Sequence, residues 1–113
     1  MDELEQLLNE AIEKFKAKIE EDGAIKKELV GIKRTLFINV IDKDGYSFIL
    51  DGPEIKDFKR GAIDEPDVKV TATEEDFILL FKGELKPMKA WATKRLVVKA
   101  SIDDLLRVRK FLG

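Results

Sequence analysis

The hydrophobic pattern of this chain changes period near Gly31, and that change restricts the fold more than any other feature. Upstream, Leu4, Leu7, Leu8, Ala11, Ile12, Phe15 and Ile19 recur at helical spacing with charged residues between them, the pattern of a helix with one buried face. Glu10 and Lys14 stand four apart in the order that supports a helix. Asp22-Gly23 ends or kinks that helix, and a short second one, with Ile25 and Leu29 inward, runs up to Gly31. Downstream, from Ile32 to Ile41, the period is two and β-branched and aromatic residues dominate, as in a central strand. At 113 residues the chain is one domain, so helices and sheet must share a single core.

The remaining elements follow from local chemistry. Asp42-Lys43-Asp44-Gly45 reads as a hairpin turn in which Gly45 supplies a positive φ. Tyr46, Phe48 and Leu50 line one face of the next strand, which stops at Gly52-Pro53. Ile55 to Lys59 is a weaker strand at or beyond the sheet edge, and Asp67 to Ala72 another, with Val68, Val70 and Ala72 inward. Thr73 caps a helix that carries Glu74, Glu75 and Asp76 in its first turn and ends at Gly83. Pro87 opens a short helix, Leu96 to Ala100 is the last strand, and Ser101 caps a final helix. The fold expected is α+β with two layers: a mixed, mainly antiparallel five-stranded sheet covered on one face by about five helices, in the order ααββββααβα.

Composition removes whole classes of chemistry. Without histidine or cysteine, the chain lacks Ser-His-Asp and Cys-His arrangements, an imidazole base, and histidine- or cysteine-ligated metals. Neither Ser47 nor Ser101 has a nucleophile's context, and Asp42-Lys43-Asp44-Gly45 lacks the later ligands of a calcium loop. We therefore expect no enzyme, no cofactor and no metal. A net charge of −2, with both signs interspersed, argues against a nucleic-acid partner. No apolar run approaches the roughly 20 residues of a membrane span. The acidic N-terminus and the absence of cysteine and of a C-terminal targeting signal fit the cytoplasm. Charged residues at 39%, with one Gln and two Asn, suit a thermophilic source.

The second half resembles the sterol carrier protein 2 family. The run Val68-Lys69-Val70-Thr71-Ala72-Thr73-Glu74-Glu75-Asp76-Phe77 is similar to that family's strand, cap and helix. The segment Gly83 to Trp91, with Pro87 and its aromatic residue, and the strand and helix from Arg95 to Phe111 continue the likeness. The resemblance is close over about residues 67–111, and the element order extends it over the chain. It implies a single lipid-binding domain over residues 1–113 that encloses a fatty acid, acyl-CoA, sterol or isoprenoid-type ligand between sheet and helices. Two departures leave ligand choice open: the chain stops at Gly113, without the peroxisomal members' extension, and Thr93-Lys94 stand where many members have glutamine and glycine.

Candidate ligand-binding residues are Leu36, Phe48, Phe77, Phe81, Leu85, Met88, Trp91, Leu105, Leu106 and Arg109. The apolar ones either line a cavity or simply fill the core. Arg109 falls within the apolar stripe of Ile102, Leu105, Leu106 and Leu112, where it either snorkels at the helix end or holds an anionic head group. Arg34 shares a strand face with Ile32, Leu36, Ile38 and Val40, and exposure at the strand end competes there with ligand contact. The partner expected is an apolar small molecule, with a homodimer as a further prospect. The rival reading is a non-catalytic interaction or enzyme-accessory domain with a collapsed cavity.

Overall fold

The computed structural model describes residues 2–112, the side chains of 110–112 excepted. The elements are α1 (Glu3–Glu21), α2 (Gly23–Leu29), β1 (Lys33–Val40), β2 (Tyr46–Asp51), β3 (Glu54–Arg60), β4 (Val68–Ala72), α3 (Glu74–Phe81), α4 (Pro87–Ala92), β5 (Val97–Lys99) and α5 (Ile102–Leu112). The expected α+β order holds. Side chains close the helix ends: Asp2 Oδ1 accepts from Glu5 N at 2.8 Å and, as expected from the sequence, Thr73 Oγ1 from Asp76 N at 3.1 Å. Asp22 serves twice, its N–H closing α1 on the Lys18 carbonyl at 2.9 Å while its Oδ1 accepts from Ala24 N at 3.0 Å to open α2.

The sheet order is β3-β2-β1-β4-β5, with β1 parallel to β4 and every other neighbouring pair antiparallel. Two antiparallel steps leave β3 running in the same direction as β1 and β4, so the chain must cross back over the sheet to start β4. Residues 61–67 make that crossing. Gly61 N donates to the Gly45 carbonyl at 2.7 Å, and Asp67 accepts from Thr35 N at 2.8 Å. The segment passes over the face that carries Thr35, Ser47 and Ile49, which leaves the opposite face for the helices.

On the helix side, Ile38 lies between Tyr46 and Val70 in register, and Leu36 between Phe48 and Val68. Leu4 and Leu8 of α1, Phe77 of α3, and Leu85, Ala90 and Leu96 close the core over them. Tyr46 is stacked on Phe58 at 5.8 Å, has the Arg60 guanidinium 5.9 Å from its ring centroid, and donates its hydroxyl to Asp2 at 3.2 Å. Burial, with the Asp2 charge beside it, pushes the phenol above its ordinary pKa. The Glu5 N–H bond holds Asp2 below the usual carboxylate value.

Two local readings need correction. The last strand is Val97–Lys99, shorter than expected, although Leu96 is buried. Gly45 is not among the glycines with positive φ, which are Gly31, Gly52, Gly61 and Gly83. Its requirement is space: a Cβ there would lie 2.1 Å from the Ile38 carbonyl oxygen and 2.7 Å from Phe37 Cε1.

Candidate functional site

Between the sheet and the last helix lies a cleft of about 180 Å³. Its floor is the helix-facing side of three adjacent strands. Arg34 and Leu36 come from β1, preceded by Ile32; Leu50 of β2 lies opposite Arg34, and Val68 of β4 opposite Leu36. Alternation along each strand puts these side chains on one face. Leu29, 1% exposed at the end of α2, forms one wall, and Asp104, Arg107 and Val108 of α5 form another. Apart from three charged groups, this lining is hydrocarbon.

Those three groups form one cluster. Arg34 Nε donates to both oxygens of Asp104, at 3.1 and 2.9 Å, and its Nη1 to the Lys33 carbonyl at 2.8 Å. Arg107 Nη1 donates to Asp104 Oδ1 at 2.7 Å. The Asp104 side chain is 7% exposed, against 32% for Arg34 and 25% for Arg107. A carboxylate so buried is tolerable only when paired, and the second guanidinium leaves the cluster with one net positive charge.

This pairing sets the rotation of α5. Ser101 Oγ accepts from Asp104 N at 3.2 Å, so the expected cap forms. The expected inward apolar stripe does not: Ile102 is 77% and Leu106 59% exposed, Leu105 is half-buried, and Arg109 is exposed. The cause is the Arg34–Asp104 ion pair, which turns the Asp104, Arg107 and Val108 side of the helix to the sheet. The Leu112 side chain lies outside the described residues.

The candidate ligand residues are accordingly dispersed. Leu36 lines the cleft. Phe77, Phe81 and Leu85 belong to or pack on the core under α1, with the two phenylalanine rings stacked at 6.4 Å. Met88, Trp91 and Arg109 come together in a groove of about 280 Å³. Phe48 borders a void of about 480 Å³ that also involves Thr35, Ser47, Ile49, Asp57, Lys59 and Asp64, beneath the 61–67 crossing. That void is larger than the cleft, but its lining is more polar, with Thr35, Ser47, Asp57, Lys59 and Asp64 among its residues. Sequence reasoning did not single out Leu29, Leu50, Val68, Asp104, Arg107 or Val108 for a site. An arginine in an otherwise apolar strand face was the available signal, because such a charge demands a partner.

Among the described residues, no group of three or more acidic, histidine or cysteine side chains could hold a metal ion, and no helix is long and apolar enough to cross a membrane.

Residues 8–113 match the family described as the SCP-2 sterol transfer family. Among proteins of curated function, none matches this chain by sequence. The sterol carrier protein domain 2 of Helicoverpa armigera is similar in structure, with a TM-score of 0.62 and 15% identity over 94% of this chain and 85% of its own. A crystal structure of sterol carrier protein 2 gives a TM-score of 0.58 and 20% identity over 85% and 81%. The inverting sec-alkylsulfatase Pisa1 from Pseudomonas sp. gives a TM-score of 0.57 and 19% identity over 78% of this chain, which spans only 14% of that enzyme. At these identities the structural likeness establishes the fold.

Proposed function

We propose that this chain, which belongs to the SCP-2 sterol transfer family, is a lipid carrier that takes an apolar chain into the cleft between its sheet and α5. The observation that carries this reading is the cleft's lining: Leu29, Ile32, Leu36, Leu50, Val68 and Val108, with the only charges gathered at Arg34, Asp104 and Arg107. Such a wall recognises hydrocarbon by excluding water and offers nothing that would attack it. The family's sterol transfer designation supports an apolar ligand, and the role needs no reaction.

Size refines the ligand class. Ligand pockets usually run from about 300 to 1,000 Å³, and this cleft has about 180 Å³. A slim acyl chain suits it better than a fused-ring sterol, and a long guest requires a wall to yield. Helix α5 is that wall. With Ile102 and Leu106 facing out, little apolar burial is lost when the helix lifts, and the main tie to break is the Asp104 cluster.

Those two outward side chains favour a second reading, an interaction domain that pairs through α5. Native mass spectrometry of purified protein separates the two: a bound lipid supports the carrier, whereas a ligand-free dimer supports the rival. The decisive titration uses straight-chain 1-alkanols of increasing length. Each methylene buried is worth about 0.8 kcal/mol, so affinity should rise by up to about fourfold per carbon until the cleft is full. An absence of binding throughout the series would defeat the carrier reading.

A further inference from the structure

We infer that the void beneath the 61–67 crossing is a second binding site, built for a small hydroxylated organic amine. It lies on the sheet face opposite the cleft, so the site is independent of the carrier reading. Its volume of about 480 Å³ falls within the range of small-molecule pockets, about 300 to 1,000 Å³. The floor supplies the observation that points to a ligand. Ser47 alternates along β2 with Tyr46 and Phe48, which pack in or on the core, so its side chain points the other way, into the void. That hydroxyl is fully buried and has no hydrogen-bond partner among the described residues. An orphaned buried hydroxyl is costly to the fold, and a ligand group that pairs with it recovers the loss.

Ile49, Phe58 and Ile63 give the void apolar walls, and its charges are Asp57, Lys59 and Asp64, all exposed. None of these three side chains makes an ion pair or hydrogen bond among the described residues. A bulge brings one of them in: Ser47 pairs with Lys59 and Ile49 with Lys56, so Asp57 and Phe58 both stand opposite Phe48, and Asp57 takes a φ of 54°. Bulges of this kind re-aim a side chain. Two carboxylates against one ammonium leave the rim with one net negative charge, which suits a monocation. Depth then sorts the two ends of the guest. Its hydroxyl pairs with buried Ser47 and its protonated amine with the water-exposed carboxylates, because burying an ion costs far more than burying a hydroxyl. Lys59, the cross-strand neighbour of Ser47, is the long, flexible side chain that swings aside to admit the guest.

The test titrates the whole methyl-labelled chain at neutral pH and low salt, where exposed charges are least screened. The probes are tyramine, phenethylamine, which lacks the hydroxyl, and 4-ethylphenol, which lacks the amine. Tyramine should shift the Ile49 and Ile63 methyls and leave those of Leu29 and Val108, in the cleft, unmoved. It should bind about fivefold more tightly than phenethylamine, the scale of one neutral hydrogen bond. Its advantage over 4-ethylphenol should also be about fivefold, the upper scale for an exposed ion pair. Ser47→Ala should bring tyramine and phenethylamine to within about twofold of each other. Asp57→Asn combined with Asp64→Asn should do the same for tyramine and 4-ethylphenol, and asparagine tolerates the left-handed backbone at position 57. Lys59→Ala removes a competing cation and should tighten amine binding. Tyramine that leaves Ile49 and Ile63 unmoved, or that binds no better than both other probes, overturns the assignment on the native chain alone. A hydroxyl preference that survives Ser47→Ala, a charge preference that survives the two asparagine substitutions, or weaker amine binding in Lys59→Ala overturns it as well. None of these outcomes bears on decanol binding in the cleft.

Discussion

Filling the cleft should strengthen the fold and weaken the ligand site in the same step. Leu50 is the position to change: it is half-buried on β2, opposite Arg34, and lines the cleft. An unfilled apolar void forfeits about 24 cal/mol per Å³. The 180 Å³ of the cleft thus sets a ceiling of about 4 kcal/mol. Leu50→Phe fills part of that space at a position where an aromatic suits the strand, so a gain of about 1 kcal/mol is reasonable. With an unfolding entropy of about 2.1 cal/mol/K per residue, a domain of this length converts that gain to a rise in Tm of about 4 °C. The added ring also takes up about the volume of one methylene of guest, worth about 0.8 kcal/mol, a loss of about fourfold in affinity. Scanning calorimetry and alkanol titration measure the two effects on one sample. A lower Tm together with unchanged decanol affinity would show that Leu50 does not face ligand space, and the reasoning would fail.

Three further outcomes follow from the same geometry. Ser47 Oγ is buried with no hydrogen-bond partner among the described residues, and an unsatisfied buried hydroxyl costs about 1–3 kcal/mol. Ser47→Ala should therefore raise Tm, and a clear fall would mean that something holds the hydroxyl. Tyr46 is the only tyrosine, so ultraviolet titration reads its phenol alone. Its pKa is raised in the fold, so its stabilising share is complete below about pH 10, the unfolded value, and is lost as pH rises through the higher folded one. Asp2→Asn should move the Tyr46 midpoint down; an unmoved midpoint would refute the coupling. Gly45→Ala should destabilise by at least about 3 kcal/mol, the upper end for overpacking, because the obstacle to its Cβ is the Ile38 backbone oxygen. A loss below about 1 kcal/mol on denaturant unfolding would contradict that close approach.

What was legible in the sequence was what neighbouring residues decide. The 3.6-residue spacing of α1, the alternation of β1 and β2, and the caps at Thr73 and Ser101 each involve groups a few positions apart, and all are present in the fold. The family resemblance came from the same local signals taken in order. The site was less legible because its key contact joins Arg34 to Asp104, seventy positions apart. Asp104 reads locally as a first-turn charge that suits the helix dipole, and it does lie in the first turn of α5. Its second role, as the partner of a strand arginine, rotates the helix. That rotation turns Ile102 and Leu106 outward and moves Arg109 to another groove. Gly45 failed for a related reason: its constraint is an approach across the hairpin, which the turn residues alone do not reveal.

Methyl-resolved NMR can locate the ligand, which we place in the space between the sheet and α5. The chain, labelled at Ile, Leu, Val and Met methyls, is titrated with 1-decanol. Shift changes should concentrate on Leu29, Ile32, Leu36, Leu50, Val68 and Val108, the apolar lining of the cleft. Changes confined to Met88, in the α4–α5 groove, or to Ile49 and Ile63, under the 61–67 crossing, would put the ligand elsewhere and contradict that placement.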